Sequence, residues 1–184
     1  MGSLSDRRLL LVVTGGVAAY KAAFLARLLL HSGATVRVSM TRAAQAFVGK
    51  ATFEALTGHA VLTDLFDGAP ALAHIELARW AEVAVVAPAT AHFLAKMAHG
   101  LADDAPSTVL LALRAPVFVA PAMNDGMWEH PATQANIETL EARGVRRVGP
   151  VVGPLAEGYE AVGRMAEPEA ILEAVARFLG GRGT

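Results

Sequence analysis

With 184 residues, of which 54% are hydrophobic and only 18% charged, the chain is sized for one domain burying roughly 70% of its unfolded surface, and nothing in it calls for a second. A formal charge of -1 provides no basic footprint, which excludes nucleic acid and anionic membrane as natural partners. With no cysteine anywhere, disulfides, thiolate metal sites and a cysteine nucleophile are excluded as well.

Met1-Gly2-Ser3 reads as partly an expression scar, and the first residues lack the long apolar segment of a secretion signal. Apolar runs such as 9–13 and 83–87 are too short to span a bilayer, so a cytoplasmic protein is expected. Leu9-Leu10-Leu11-Val12-Val13, closed by Thr14-Gly15-Gly16, reads as a strand buried on both faces and then a tight turn. Residues 18–31 follow as a helix with Leu25, Leu28 and Leu29 inward and Gly33 just past its end. The turn is neither G-x-G-x-x-G nor a P-loop. Its glycines still let the backbone approach a phosphate or ring, and the helix start supplies free N–H groups. A purely structural glycine turn fits the same pattern.

Residues 35–40 alternate as a second strand, and Thr41-Arg42-Ala43-Ala44 opens another helix with Thr41 placed to cap it. Hydroxyl, guanidinium and N–H groups there suit a phosphate; a plain cap with a solvated Arg42 suits the pattern equally. Residues 53–70 carry no sustained period and read as a short helix and an irregular connection containing Thr57-Gly58 and Asp67-Gly68. His74-Ile75-Glu76-Leu77 then precedes Trp80 and a third strand over 83–87. Pro88-Ala89-Thr90-Ala91-His92 closes that strand and leads into a helix over 93–98, its small residues leaving room for a flat ring and Thr90 able to bond a polar edge. Asp103-Asp104 reads as the acidic start of a helix over 108–113 rather than a metal or acid/base pair, with Ser107 the better ligand contact. No metal is called for.

A fourth strand over 117–120 ends in Pro121-Ala122-Met123-Asn124-Asp125-Gly126-Met127-Trp128, which offers an amide, a flexible glycine and two large soft side chains at a strand's carboxyl end, where open α/β sheets bind ligands. A helix over 133–143, with Ile137 and Leu140 inward and Gly144 as its stop, leads to a short strand over 145–148. The glycine- and proline-bearing stretch over 149–165 reads as an irregular lid, before a closing helix over 168–179 and a frayed tail over 180–184. Buried strands alternating with helices predict a Rossmann-like three-layer α/β sandwich with a mostly parallel sheet, one domain over 1–184 with an ordered core over about 7–179.

Pro-x-Met-Asn-x-x-Met-Trp at 121–128, His74 ahead of the third strand and Gly-Arg-Met-x-x-Pro at 163–168 together resemble the flavin-dependent cysteine decarboxylases, the homo-oligomeric flavin-containing family that includes the phosphopantothenoylcysteine and peptidyl-cysteine decarboxylases. The resemblance implies FMN as cofactor, held by Gly15, Gly16, Val17, Thr41, Arg42, Ala89, Thr90, Ala91, His92, Ser107 and Ala122, and a trimer or dodecamer with flavin at the subunit interface. In the family, flavin oxidises the substrate's cysteine thiol to a thioaldehyde, which accepts electrons as carbon dioxide leaves and gives an enethiol. His74 is then the base or orienting group at the thiol, Asn124 bonds the carboxylate, and Met127, Ala156, Arg164 and Met165 contact the substrate, the last three from a lid over 155–165.

Two positions depart from the family's pattern. His92 stands where the family carries Asn or Asp, and Glu157 where many of its lids carry a proton-donating Cys. A Glu157 carboxyl turned inward and buried could donate that proton; turned to solvent, it would leave the reaction at the enethiol. The branch most resembled is the phosphopantothenoylcysteine one, fused in many bacteria to a synthetase absent here, so the chain reads as one half of such an enzyme. A peptidyl-cysteine decarboxylase and a non-catalytic FMN-binding regulatory protein are the alternatives.

Overall fold

The computed structural model describes residues 4–66, 68 and 70–181. Met1-Gly2-Ser3, Asp67 of the Asp67-Gly68 turn and residues 182–184 of the tail lie outside the described residues. Five strands, β1 (Arg8–Val13), β2 (Thr35–Met40), β3 (Val83–Ala89), β4 (Val117–Pro121) and β5 (Arg146–Arg147), form a parallel sheet in the order β2-β1-β3-β4-β5. The eight helices among the described residues are α1 (Ala19–His31), α2 (Lys50–Thr57), α3 (Ala73–Trp80), α4 (Ala91–His99), α5 (Ala105–Ala112), α6 (Asp125–Glu129), α7 (Pro131–Ala142) and α8 (Pro168–Gly180).

The strands are apolar on both sides because each side faces a helical layer. Leu9, Leu11 and Val13 join Val36, Val38, Val83, Val85 and Phe118 in a core closed by Leu25 and Leu29 of α1, Phe53 of α2 and Ile171 and Val175 of α8. Leu10, Val12, Ala84, Val86 and Val119 point the other way, onto Leu77 of α3, Phe93 and Leu94 of α4, Val109 of α5 and Ile137 and Leu140 of α7. This is the period of two that an extended chain imposes. Each fully buried Leu or Ile contributes roughly 1.5–3 kcal/mol. Among the described residues no helix is long and apolar enough to cross a membrane.

Several expectations need correction. His74 belongs to α3, a two-turn helix whose buried side is only Leu77 and Ala78, too narrow a stripe to show a period. The helix expected over 108–113 begins three residues earlier, because Asp104 and Ser107 form a reciprocal capping box that starts it at Ala105. The end of the central motif, to which the sequence assigns no element, folds as the short helix α6 over Asp125–Glu129. The stretch over 149–165 is not irregular: β6 (Val151–Pro154) and β7 (Glu160–Arg164) pair as an antiparallel hairpin, leaving only its tip as a turn. Thr41 Oγ1 accepts Ala44 N–H at 3.1 Å, as a cap does, although it lies one residue before Arg42, the N-cap of the 3-10 turn over Ala43–Ala46 that forms in place of a longer helix.

Candidate active site

Chain order reverses between β1 and β3, where sheets of this kind open a crevice at their carboxyl edge. Thr14 stitches the two strand ends together: its hydroxyl donates to Pro88 O at 2.7 Å and accepts Thr90 N–H at 3.2 Å. Thr90 in turn accepts Phe93 N–H and caps α4. Gly15 is required by close approach, since a Cβ there would overlap Ala43 and come within 2.8 Å of its carbonyl carbon. No hydrogen bond among the described residues satisfies the backbone N–H groups of Gly15, Gly16 or Val17. Three unpaired donors at a helix start, opposite Thr41 and Arg42, fit the phosphate and polar edge of a flavin mononucleotide.

The other wall grows from β4. Ala122 N–H reaches Ala89 O at 3.1 Å and Met123 N–H reaches Gly163 O at 3.0 Å, which seats the hairpin against the motif. Gly163, at φ 136°, allows that contact because any Cβ there would overlap the Met123 carbonyl oxygen. Asn124 Oδ1 accepts Gly126 N–H at 2.9 Å and caps α6, so the amide's orientation is fixed and Nδ2 faces the hairpin. There it donates to Glu157 Oε1 and to Tyr159 Oη, each at 3.0 Å. Tyr159 Oη donates onward to Asp125 Oδ1 at 2.7 Å. That bond holds the Asp125 carboxyl below the usual carboxylate range and raises the Tyr159 hydroxyl above its ordinary value.

Between these walls lies a cleft of about 960 Å³. From the sheet side it is lined by Gly15, Gly16, Val17, Thr41 and Arg42, with Thr90, Ala91 and His92 at the start of α4. Ala122, Asn124 and Met127 line it from the motif, and Ala156, Glu157, Arg164 and Met165 from the hairpin. Three expected residues are not brought there. Ala89 is fully buried in the β3–β4 ladder, and Ser107 is buried and spends its hydroxyl on Asp104. His74 sits on α3, which packs against α5, and its Nδ1 is buried without a hydrogen-bond partner among the described residues. Glu157 does face Asn124, but the residue is exposed, so this arrangement lacks the burial that a proton-donating carboxyl needs.

Sequence reasoning missed Tyr159, Asp125 and two buried lysines on the cleft wall. Lys96 Nζ bridges Asp103 and Asp104 at 2.7 Å each; burial pushes its ammonium down, but the two carboxylates outweigh that and raise it. Lys21 Nζ pairs with Glu167 at 2.9 Å. Both had a legible signal, a lysine on the apolar face of its helix: Lys21 lies one turn before Leu25, Lys96 one turn after Phe93.

Comparison with known proteins gives a consistent picture. A family model described as "Flavoprotein" matches residues 2–180. The coenzyme A biosynthesis bifunctional protein CoaBC of Bacillus subtilis (strain 168) is 46% identical over 172 residues, which are 92% of this chain and 42% of that protein. The chain thus spans less than half the length of the curated relatives it matches. Among solved structures, a PPC decarboxylase mutant complexed with pantothenoylaminoethenethiol superposes with a TM-score of 0.87 at 35% identity, covering 95% of this chain and 99% of that one. The FMN-dependent cysteine decarboxylase SpaF superposes with a TM-score of 0.83 at 35% identity, covering 95% and 98%.

Proposed function

This chain belongs to the flavoprotein family, and from that premise we propose that it is an FMN-dependent cysteine decarboxylase that converts phosphopantothenoylcysteine to phosphopantetheine in coenzyme A biosynthesis. The observation that carries the reading is the Asn124 amide, turned by its own cap to offer N–H groups at the rim of a cleft whose floor keeps unpaired backbone donors. The names of the CoaBC and PPC decarboxylase relatives support the choice of substrate.

Carbon dioxide cannot leave this substrate without an electron sink, and no side chain provides one. Bound FMN would supply it, taking two electrons from the cysteine thiol and giving them back to the enethiol after carbon dioxide has left, so that the net change is loss of carbon dioxide alone. The chain's own work is binding and orientation. Gly15, Gly16, Val17, Thr41 and Arg42 hold the cofactor's phosphate side, and Thr90, Ala91, His92 and Ala122 lie along its ring. Asn124 holds the substrate carboxylate; a neutral amide does so without stabilising its charge as strongly as an arginine would, which leaves decarboxylation less opposed. Met127, Ala156, Arg164 and Met165 enclose the substrate, and Glu157, exposed in the structure, would return a proton to the enethiol only once a bound substrate buries the hairpin tip.

His74 completes the site from a neighbouring copy. It lies outside the cleft of its own chain, so a second copy is the natural source of a His74 at this site. A trimer or dodecamer working in the cytoplasm, which the family resemblance implies, is part of the same proposal.

One observation favours a second reading. The chain has no cysteine, and Glu157 stands where the family's lid proton donor is expected, so a peptidyl-cysteine decarboxylase stopping at the enethiol is the alternative. The test is to incubate the holoprotein with phosphopantothenoylcysteine and, separately, with a cysteine-terminated peptide, and to weigh the products. Loss of carbon dioxide alone from the small substrate is expected. Loss of carbon dioxide and a hydrogen pair from the peptide alone would favour the second reading, and no turnover of either would leave an FMN-binding regulatory protein.

A further inference from the structure

Asn124 already holds a carboxylate within the folded chain. Its Oδ1 is committed to Gly126, one Nδ2 proton goes to Tyr159 Oη, and the other goes to Glu157 Oε1 at 3.0 Å. Tyr159 is anchored in turn to Asp125. Glu157 makes no other hydrogen bond or ion pair among the described residues, and it projects from the exposed tip between β6 and β7, followed by Gly158 at φ 91°. The tip can thus release the amide without disturbing either strand.

We infer that Glu157 is an internal stand-in for the substrate's carboxylate: it occupies the Asn124 proton that a bound substrate takes, and substrate binding exchanges one carboxylate for the other. This rests on the reading of Asn124 as the carboxylate ligand. The bond lies at the exposed rim, so Glu157 competes with water as well as with a ligand carboxylate for the Asn124 proton. Once carbon dioxide has gone, the product has nothing to contest Asn124, and Glu157 returns to it. Glu157 therefore competes with ligands that carry the carboxylate and not with those that lack it. That makes it a specificity-determining residue, acting before and after the chemical step.

The probes are phosphopantothenoylserine, whose hydroxyl replaces the reactive thiol, and its counterpart without the carboxylate. Binding of each to FMN-loaded protein is measured by calorimetry and by the change in flavin absorbance. Glu157→Ala is expected to tighten the carboxylate probe by about three- to tenfold while leaving the other within twofold, about the effect of deleting one competing hydrogen bond. Glu157→Gln, which keeps the size and an acceptor but not the charge, should fall between. Asn124→Ala should weaken the carboxylate probe. If Asn124→Ala weakens it but Glu157→Ala does not tighten it, the stand-in is overturned and the proposed function survives. If Asn124→Ala binds both probes as the parent does, Asn124 is not the carboxylate ligand and both fall.

Discussion

At Lys21 a single cation ties three parts of the domain together. Its ammonium, buried on α1, bonds Glu167 Oε1 at 2.9 Å just before α8, and the same oxygen receives Arg164 of β7 at 2.6 Å. The Lys21 hydrogen bond, with that of Arg164 behind it, holds the Glu167 carboxyl below the usual carboxylate range. Because the folded pKa lies below the unfolded one, the stability this contributes is complete above the unfolded pKa and is lost as pH falls through the folded one. Glu167→Gln is expected to destabilise the domain by about 1 kcal/mol at neutral pH, a modest loss because the carboxylate is half exposed and screened by solvent. Its denaturation midpoint should converge on the parent's in acid, and denaturant titrations across pH check both. Nothing in the sequence pairs residue 21 with residue 167, because the bond forms only once the sheet has brought distant segments together. Asn124 was legible for the opposite reason: its cap is local, and it stands at the end of an unmistakable buried strand.

The hairpin of β6 and β7 was the element least legible in sequence. Its glycines and prolines read as breakers, yet Gly153 lies beneath the Arg164 side chain and Gly163 beneath the Met123 carbonyl, so in both cases the missing side chain permits close packing. Local pattern cannot tell a glycine that ends structure from one that admits a neighbour. Gly163→Ala is expected to lift β7 from the motif, destabilising the domain by about 2 kcal/mol or more through overlap and positive φ. Thermal melting measures the loss, and faster proteolysis at the tip over 155–159 would report the undocked hairpin. An unchanged melting curve and digestion pattern would show that the contact at Met123 does not hold the cover. Strands β1, β3 and β4 were readable because burial on both faces writes apolar runs, and β2 from its alternation; α3 and α6 were not, being too short to display a period.

For the molecule as a whole, the sheet order and its two covering layers follow from strand-helix alternation, whereas the separation of His74 from the cleft does not, since no pattern in one chain reveals what a second copy contributes. Val17 and Tyr20 on the cleft wall, and Phe24 edge-on to Tyr20, are each at least half exposed, an apolar rim suited to a neighbour. If the site is shared, His74→Ala and Asn124→Ala should each be inactive, while subunits mixed, dissociated and reassembled should regain up to about a quarter of parental activity, from sites drawing one intact residue from each variant. Recovery of none, with both variants assembling normally, would place the whole site in one chain. The Thr14–Thr90 stitch has a consequence on this scale too. The floor of the cleft is the end of two interior strands, so it keeps its shape until the sheet itself gives way, whereas the cover is held at the rim. Heat inactivation of such a protein divides into an early, reversible loosening of the cover and a late, cooperative collapse of the cradle.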